Sequence, residues 1–175
     1  MGTTPLLHRL DARDRALFAR WATGAATTRR TRRAWTVLTH LGGATCTILA
    51  SIVPLTFGGA IHEAARLALA TLVVSHLIVQ LIKRTVGRPR PSRGTLCTTL
   101  VTEPDRFSFP SGHAAAAMSV AFAYAVVYPH LSLALVALAA LVGLSRVCLG
   151  VHYQGDVFAG QTIALVTGWM MLALR

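Results

Sequence analysis

FSFPSGHAAAAMSVAFAYAVVYPHLSLALVALAALVGLS, residues 107–145, contains no Asp, Glu, Lys or Arg. A membrane-spanning helix needs about 20 predominantly apolar residues. The run is too long for one crossing, and Tyr128-Pro129-His130 is its natural break. It divides into two short spans, roughly 111–128 and 131–149, joined by a tight turn. On its N-terminal side, residues 34–62 are also free of formal charge, and they predict a span over 34–54 closed by Pro54 and Gly58-Gly59. Residues 64–82 predict another, with Arg66 near its end, where its side chain can snorkel to the interface. Residues 154–174 make the last, with no charge after Asp156 until Arg175. The expectation is an all-α integral membrane bundle of about five transmembrane helices. Five buried helices of a soluble bundle would show a charged face at this length, and these show none.

Composition agrees. Of the 175 residues 54% are hydrophobic and 13% charged, where soluble domains carry about 25% charge. The length suits one domain. The 17 Lys and Arg outnumber 6 Asp and Glu, for a formal net charge of +11, and Lys83 is the one lysine. A chain both basic and this apolar points to a membrane protein handling anionic groups. A nucleic-acid partner would need a polar, solvated basic face. Cys46, Cys97 and Cys148 have neither metal-site nor redox-motif spacing and read as small core residues.

Residues 1–33 form a basic N-terminal arm with eight Arg and no apolar core of a signal peptide. Leu7, Leu10, Leu17, Phe18 and Trp21 recur at helical spacing between Arg9, Arg13, Arg15 and Arg20. This predicts an interfacial amphipathic helix held by lipid burial and anionic head groups, with a disordered arm as the alternative. Residues 34–175 then form a single transmembrane domain with one long loop, 83–110.

Parity gathers the polar residues. The second span ends at Lys83, the third begins near Ser111, the fourth ends near Arg146 and the fifth begins near His152–Asp156, so all four termini share one face of the membrane. The loop on that face carries Lys83, Arg84, Arg88, Arg90, Arg93 and Arg106. Pro110-Ser111-Gly112-His113 precedes a helix, offering a hydroxyl and free N–H groups to an anion, with Gly112 letting it approach the backbone. His152 and Asp156 are one helical turn apart, so Asp156 can accept from one ring nitrogen and leave the other free to attack or take a proton. Lys83, Arg90 and Arg146 can neutralise a phosphoryl group.

Lys83-x6-Arg90-Pro91, Pro110-Ser111-Gly112-His113 and Ser145-Arg146-x5-His152-x3-Asp156 together resemble the tripartite signature of the type-2 phosphatidic acid phosphatases, or lipid phosphate phosphatases. The resemblance covers residues from about 60 to the C-terminus. It implies phosphate binding by Lys83, Arg90, Arg146, Ser111 and the Gly112 amide. It further implies His152 as nucleophile forming a phosphohistidine, Asp156 orienting it, His113 as acid and then base, and neither metal nor cofactor. The implied reaction is hydrolysis of a phosphate monoester or diphosphate on a lipid: phosphatidic acid, phosphatidylglycerophosphate, a polyprenyl phosphate or lipid A. A non-catalytic lipid-phosphate binding or transport protein of the same fold is the alternative; the full His113, His152 and Asp156 set favours the enzyme. Vanadium haloperoxidases share the motifs but are soluble and larger, unlike this apolar chain.

Arg66, Arg84 and Arg175 read as interfacial anchors, and His40 and His76 as hydrogen-bonded core residues. Arg88, Arg93 and Arg106 either widen the phosphate funnel, contact a head group or are solvated. The expected location is the cell (inner) membrane, multi-pass. The eight arginines of the arm place its face, and the site with it, in the cytoplasm by the positive-inside rule. Bacterial six-span relatives generally have their sites on the outer face, so the resemblance implies the opposite. The sequence leaves the oligomeric state open.

Overall fold

The computed structural model describes residues 5–22, 27–94, 100, 101, 103 and 105–175, with backbone alone at 5–10, 93 and 94. Cys97 and the side chains of Leu7, Leu10, Arg9 and Arg93 lie outside the described residues. Seven α-helices occur among them: α1 Pro5–Trp21, α2 Arg29–Leu41, α3 Ala44–Ile52, α4 Ala60–Val86, α5 Gly112–Val127, α6 Ser132–Cys148 and α7 Gln154–Ala173.

α5 is the axis of the bundle. It packs against α4, α6 and α7 and touches α3. Its alanine-rich sequence explains this, because small residues let helix backbones approach closely where lipid removes the hydrophobic drive between helices. Ala114, Ala115, Ala117, Ala121 and Ala123 are all buried, with Met118 and Phe122 filling the gaps. Ser119 donates to the Ala115 carbonyl at 2.9 Å and lies 2.9 Å from Ser75 Oγ on α4. Tyr124 Oη donates to the Ala50 carbonyl of α3 at 2.8 Å. On α7, Gly160 sits so close to the Ser111 carbonyl that a side chain there would overlap it.

Fewer helices reach crossing length by themselves than the five spans expected. α4, α6 with its preceding turn from Pro129, and α7 are long and apolar enough to cross a membrane. The expected 34–54 span is broken: α2 and α3 are bent by 42° at Gly42-Gly43, and only together do they reach crossing length. A Cβ on Gly42 would stand 2.8 Å from the His113 carbonyl, so the break lets the chain close onto the start of α5. α2 also begins inside the basic arm, at Arg29, capped by Thr28 Oγ1 accepting from the Thr31 amide at 3.2 Å. α5, with 16 residues, is about 24 Å long. Its neighbours cover it, so lipid thickness does not set its length.

α1 is helical, and its apolar stripe is divided between two environments. Leu17 and Trp21 are exposed, as a lipid-facing helix requires, but Phe18 is wholly buried against Tyr153 at 5.4 Å between ring centroids. The helix docks on α6 and α7. Arg66 and Arg84 are exposed at helix ends, and Arg175 pairs with Glu63 at 2.9 Å. His40 and His76 are exposed rather than buried, with His76 3.3 Å from Gln80.

Gly160→Ala tests the α5–α7 seat. It is expected to destabilise by about 1–3 kcal/mol, the range for overpacking, read as a lower Tm in detergent.

Candidate active site

Three turns build the site. Gly87 takes the left-handed conformation (φ 62°) at the end of α4, its amide donating to the Lys83 carbonyl at 3.1 Å. The chain doubles back there and brings Arg90 beside Lys83, which gives their spacing its meaning. Past α6, Gly150 (φ 79°) turns the chain so that the Arg146 carbonyl accepts from the amides of Val151 at 3.1 Å and His152 at 3.2 Å. Arg146 and His152 are thereby locked together across their gap. The third turn seats the start of α5, where the Ser111 amide donates to the Asp156 carbonyl of α7 at 2.9 Å.

Lys83, Arg90, Gly112, His113 and His152 line one cavity of about 570 Å³. Lys83 Nζ donates to Asp105 Oδ2 at 2.8 Å and to the Phe107 carbonyl at 3.1 Å. Arg90, fully buried, donates to the Asp105 carbonyl and to the Val151 carbonyl, both at 2.8 Å, and to Asp105 Oδ1 at 2.9 Å. Arg146 Nη1 donates to Thr39 Oγ1 at 2.6 Å, while its Nε and Nη2 have no partner among the described residues. Ser111 Oγ, also buried, has none either. Buried donors almost always find acceptors. A buried guanidinium with two donors left over, and a buried hydroxyl without a partner at the start of α5, are groups that suit an anion.

His152 is 1% exposed. Its Nε2 lies 3.1 Å from Arg90 Nη1. Arginine only donates, so Nε2 is the lone-pair nitrogen and Nδ1 carries the proton. Nδ1 faces Asp156 Oδ2 at 3.5 Å. This is longer than the hydrogen bond the four-residue spacing predicts; that carboxylate oxygen accepts instead from the Tyr153 amide at 2.8 Å. The pair faces as expected but is not hydrogen-bonded. Burial holds the His152 imidazole well below its ordinary pKa, and the charges of Arg146, Arg90, Lys83 and His113 add to it. His152 is therefore neutral at neutral pH, the form that can attack.

Sequence reasoning missed Asp105. It is the counter-ion shared by Lys83 and Arg90. Burial pushes its carboxyl up, but hydrogen bonds and charge from Lys83 and then Arg90 outweigh that and hold it below the usual carboxylate range. Thr39 and the Gly42-Gly43 break were missed too; the glycine pair is itself a local breaker signal, while nothing local marks Thr39. Arg88 is neither solvated nor part of the funnel: its Nη1 donates to Asp156 Oδ1 at 2.7 Å. Arg106 is exposed. Among the described residues no group of three His, Cys, Asp or Glu side chains could hold a metal ion.

From this polar end the cavity runs on between α3 and α4 along Ile48, Ile52, Leu69, Leu72, Val73 and Leu77. One end suits an anion and the other a hydrocarbon chain.

Residues 64–175 match the family model of the PAP2 superfamily. The chain belongs to the PAP2 superfamily. It is 36% identical over 107 residues to a lipid A 1-phosphatase of Rhizobium etli, covering 58% of this chain and 45% of that one. It is 34% identical over 145 residues to phosphatidylglycerophosphatase B of Bacillus subtilis, covering 75% and 68%. The chain thus spans about half the length of the first of these relatives. Its fold matches the crystal structure of a transmembrane PAP2 type phosphatidylglycerolphosphate phosphatase from Bacillus subtilis, with a TM-score of 0.77 at 25% identity over 95% of this chain and 86% of that one. With the apolar helices above, this PAP2 member is a multi-pass membrane protein.

Asp105 yields a pH test. A carboxyl held below its ordinary value of 3.8 adds stability above that pH and loses it as pH falls through the folded-state value. Wild type is expected to lose Tm on acidification below about pH 4, and Asp105→Asn to lack that increment in parallel melts.

Proposed function

We propose that the chain is a metal-independent phosphatase acting on a lipid phosphate monoester or diphosphate. The observation that carries this is His152 itself. A neutral imidazole with its Nε2 lone pair turned into a cluster of three buried cations, and Nδ1 toward a carboxylate, is arranged to attack phosphorus.

In this reading the substrate phosphate takes the donors of Lys83, Arg90 and Arg146, with Ser111 Oγ and the Gly112 amide. Arg90 Nη1 then turns from His152 Nε2 to a phosphate oxygen, which frees the nucleophile. His152 Nε2 forms an N–P bond as the P–O bond to the lipid breaks, and His113 gives its proton to the departing oxygen. Asp156 supports the charge growing on the imidazole. Water then attacks phosphorus, loses its proton to His113, and the N–P bond breaks to release phosphate and restore His152. Binding alone would need the cations but neither His113 nor Asp156.

The apolar limb of the cavity supports a lipid tail entering sideways from the bilayer between α3 and α4. Head group and chain differ even between the two relatives above, so a glycerolipid phosphate, a polyprenyl phosphate and a lipid A phosphate all belong in the panel to be assayed.

The site faces the cytoplasm in this reading, across the inner membrane. Arg32 Nη2 donates to the Leu100 carbonyl at 2.9 Å, so the arginine-rich arm and the site loop share a face, and eight arginines on that face favour the inside.

His152→Ala is expected to cut phosphate release from every accepted lipid phosphate by at least about a thousandfold, and EDTA to leave wild type unaffected. Wild-type turnover by the variant would overturn the mechanism. A single cysteine introduced near residue 100 should resist an impermeant thiol reagent on intact cells and react after lysis.

A further inference from the structure

Arg88 does not line the phosphate cavity, yet it pairs with three carboxylates. Its Nη1 donates to Asp156 Oδ1 and to Asp14 Oδ2, each at 2.7 Å, and its Nη2 to Asp11 Oδ1 at 2.7 Å. The guanidinium also lies 4.1 Å over the Tyr153 ring. Asp11 and Asp14 belong to α1, outside the residues that match the superfamily. Burial opposes the Arg88 charge, and Asp156, Asp14 and Asp11 together more than restore it, raising its pKa.

α1 is tied to the same spot twice more. Asp14 Oδ1 accepts from the Gly155 amide at 2.9 Å, in the first turn of α7 and one residue before Asp156. The seat is close: a Cβ on Gly155 would stand 2.8 Å from Asp14 Oδ2. Phe18, one turn further along α1, is wholly buried with Tyr153, Ala114, Val147 and Val157. Tyr153 is the residue after His152. The helix therefore grips the segment 153–156 that carries the orienting carboxylate.

We propose that Arg88, Asp11 and Asp14 are positioning residues that act through Asp156, so that α1 completes the active site. The proposal rests on His152 being the nucleophile. Paired with Asp156 alone, Arg88 would neutralise the carboxylate that has to support charge on His152, and its long side chain would leave Asp156 Oδ1 free to move with it. Shared among three carboxylates, the guanidinium is fixed in its plane and only part of its charge falls on Asp156. Arg15 Nε, 2.8 Å from Asp11 Oδ2, braces the outer end. Asp156 is then held at Oδ1 by Arg88 and at Oδ2 by the Tyr153 amide, with Oδ2 toward His152 Nδ1. The effect falls on the attack by His152 and leaves the phosphate cradle of Lys83, Arg90 and Arg146 untouched.

The test uses the full chain in detergent with a lipid phosphate that wild type hydrolyses. Asp11→Asn with Asp14→Asn keeps the shape and removes the charge. It is expected to lower kcat about tenfold with KM and inhibition by inorganic phosphate changed by less than about twofold. In an Arg88→Gln background the same pair should change kcat by less than about twofold, because the carboxylates act through Arg88. Asp14→Glu should recover most of the activity lost by Asp14→Asn. A wild-type kcat in the double variant overturns the proposal, and so does an equal fall with and without Arg88. If the double variant does not fold, Asp14→Asn and Asp14→Glu, each with and without Arg88, make the same comparison. A wild type inactive toward every lipid phosphate would instead remove the reading on which the proposal rests.

Discussion

Three cations buried beside one another at the end of an apolar bundle set the terms for the rest of this structure. Lys83, Arg90 and Arg146 are each less than 5% exposed. Burying a charge costs several kcal/mol unless partners replace water. The fold answers with one carboxylate, Asp105, and with backbone carbonyls of residues 105, 107 and 151 turned inward. That compensation is incomplete by design of the sequence: Arg146 keeps two donors without partners, and Ser111 keeps its hydroxyl. Those are donors that the proposed substrate phosphate would take.

Holding such a cluster together requires rigid elements that approach closely. Alanines on α5, with Gly42 and Gly160 facing its first turn, bring α2, α3 and α7 within contact of Ser111 and His113. Small residues, Gly42, Ala44, Gly112 and Ala116, also line the cavity between α3 and α4 that meets Lys83 and Arg90.

Much of the site was legible because its spacing encodes turns. The gap from Lys83 to Arg90 is a helix end with a left-handed glycine, and the gap from Arg146 to His152 is a turn in which one carbonyl takes two amides. The charge-free runs located the helices for an equally simple reason, since a spanning segment cannot expose charge to lipid. Where the reading went astray, a contact distant in sequence decided the outcome. The 34–54 span bends at Gly42-Gly43, where Gly42 lies against the His113 carbonyl, and Arg88 leaves the solvent for Asp156.

By itself the sequence determined a helical membrane protein with a cluster of cations, two His and an Asp at one face, because hydropathy and short-range turns are local properties. Only the tertiary structure decided which carboxylates answer which cations. Asp105 could have been one more loop acid and Arg88 one more solvated arginine. Their roles follow from pairings across 15 to 77 residues of chain, and no local pattern specifies which distant charge a folded bundle will bring within 3 Å.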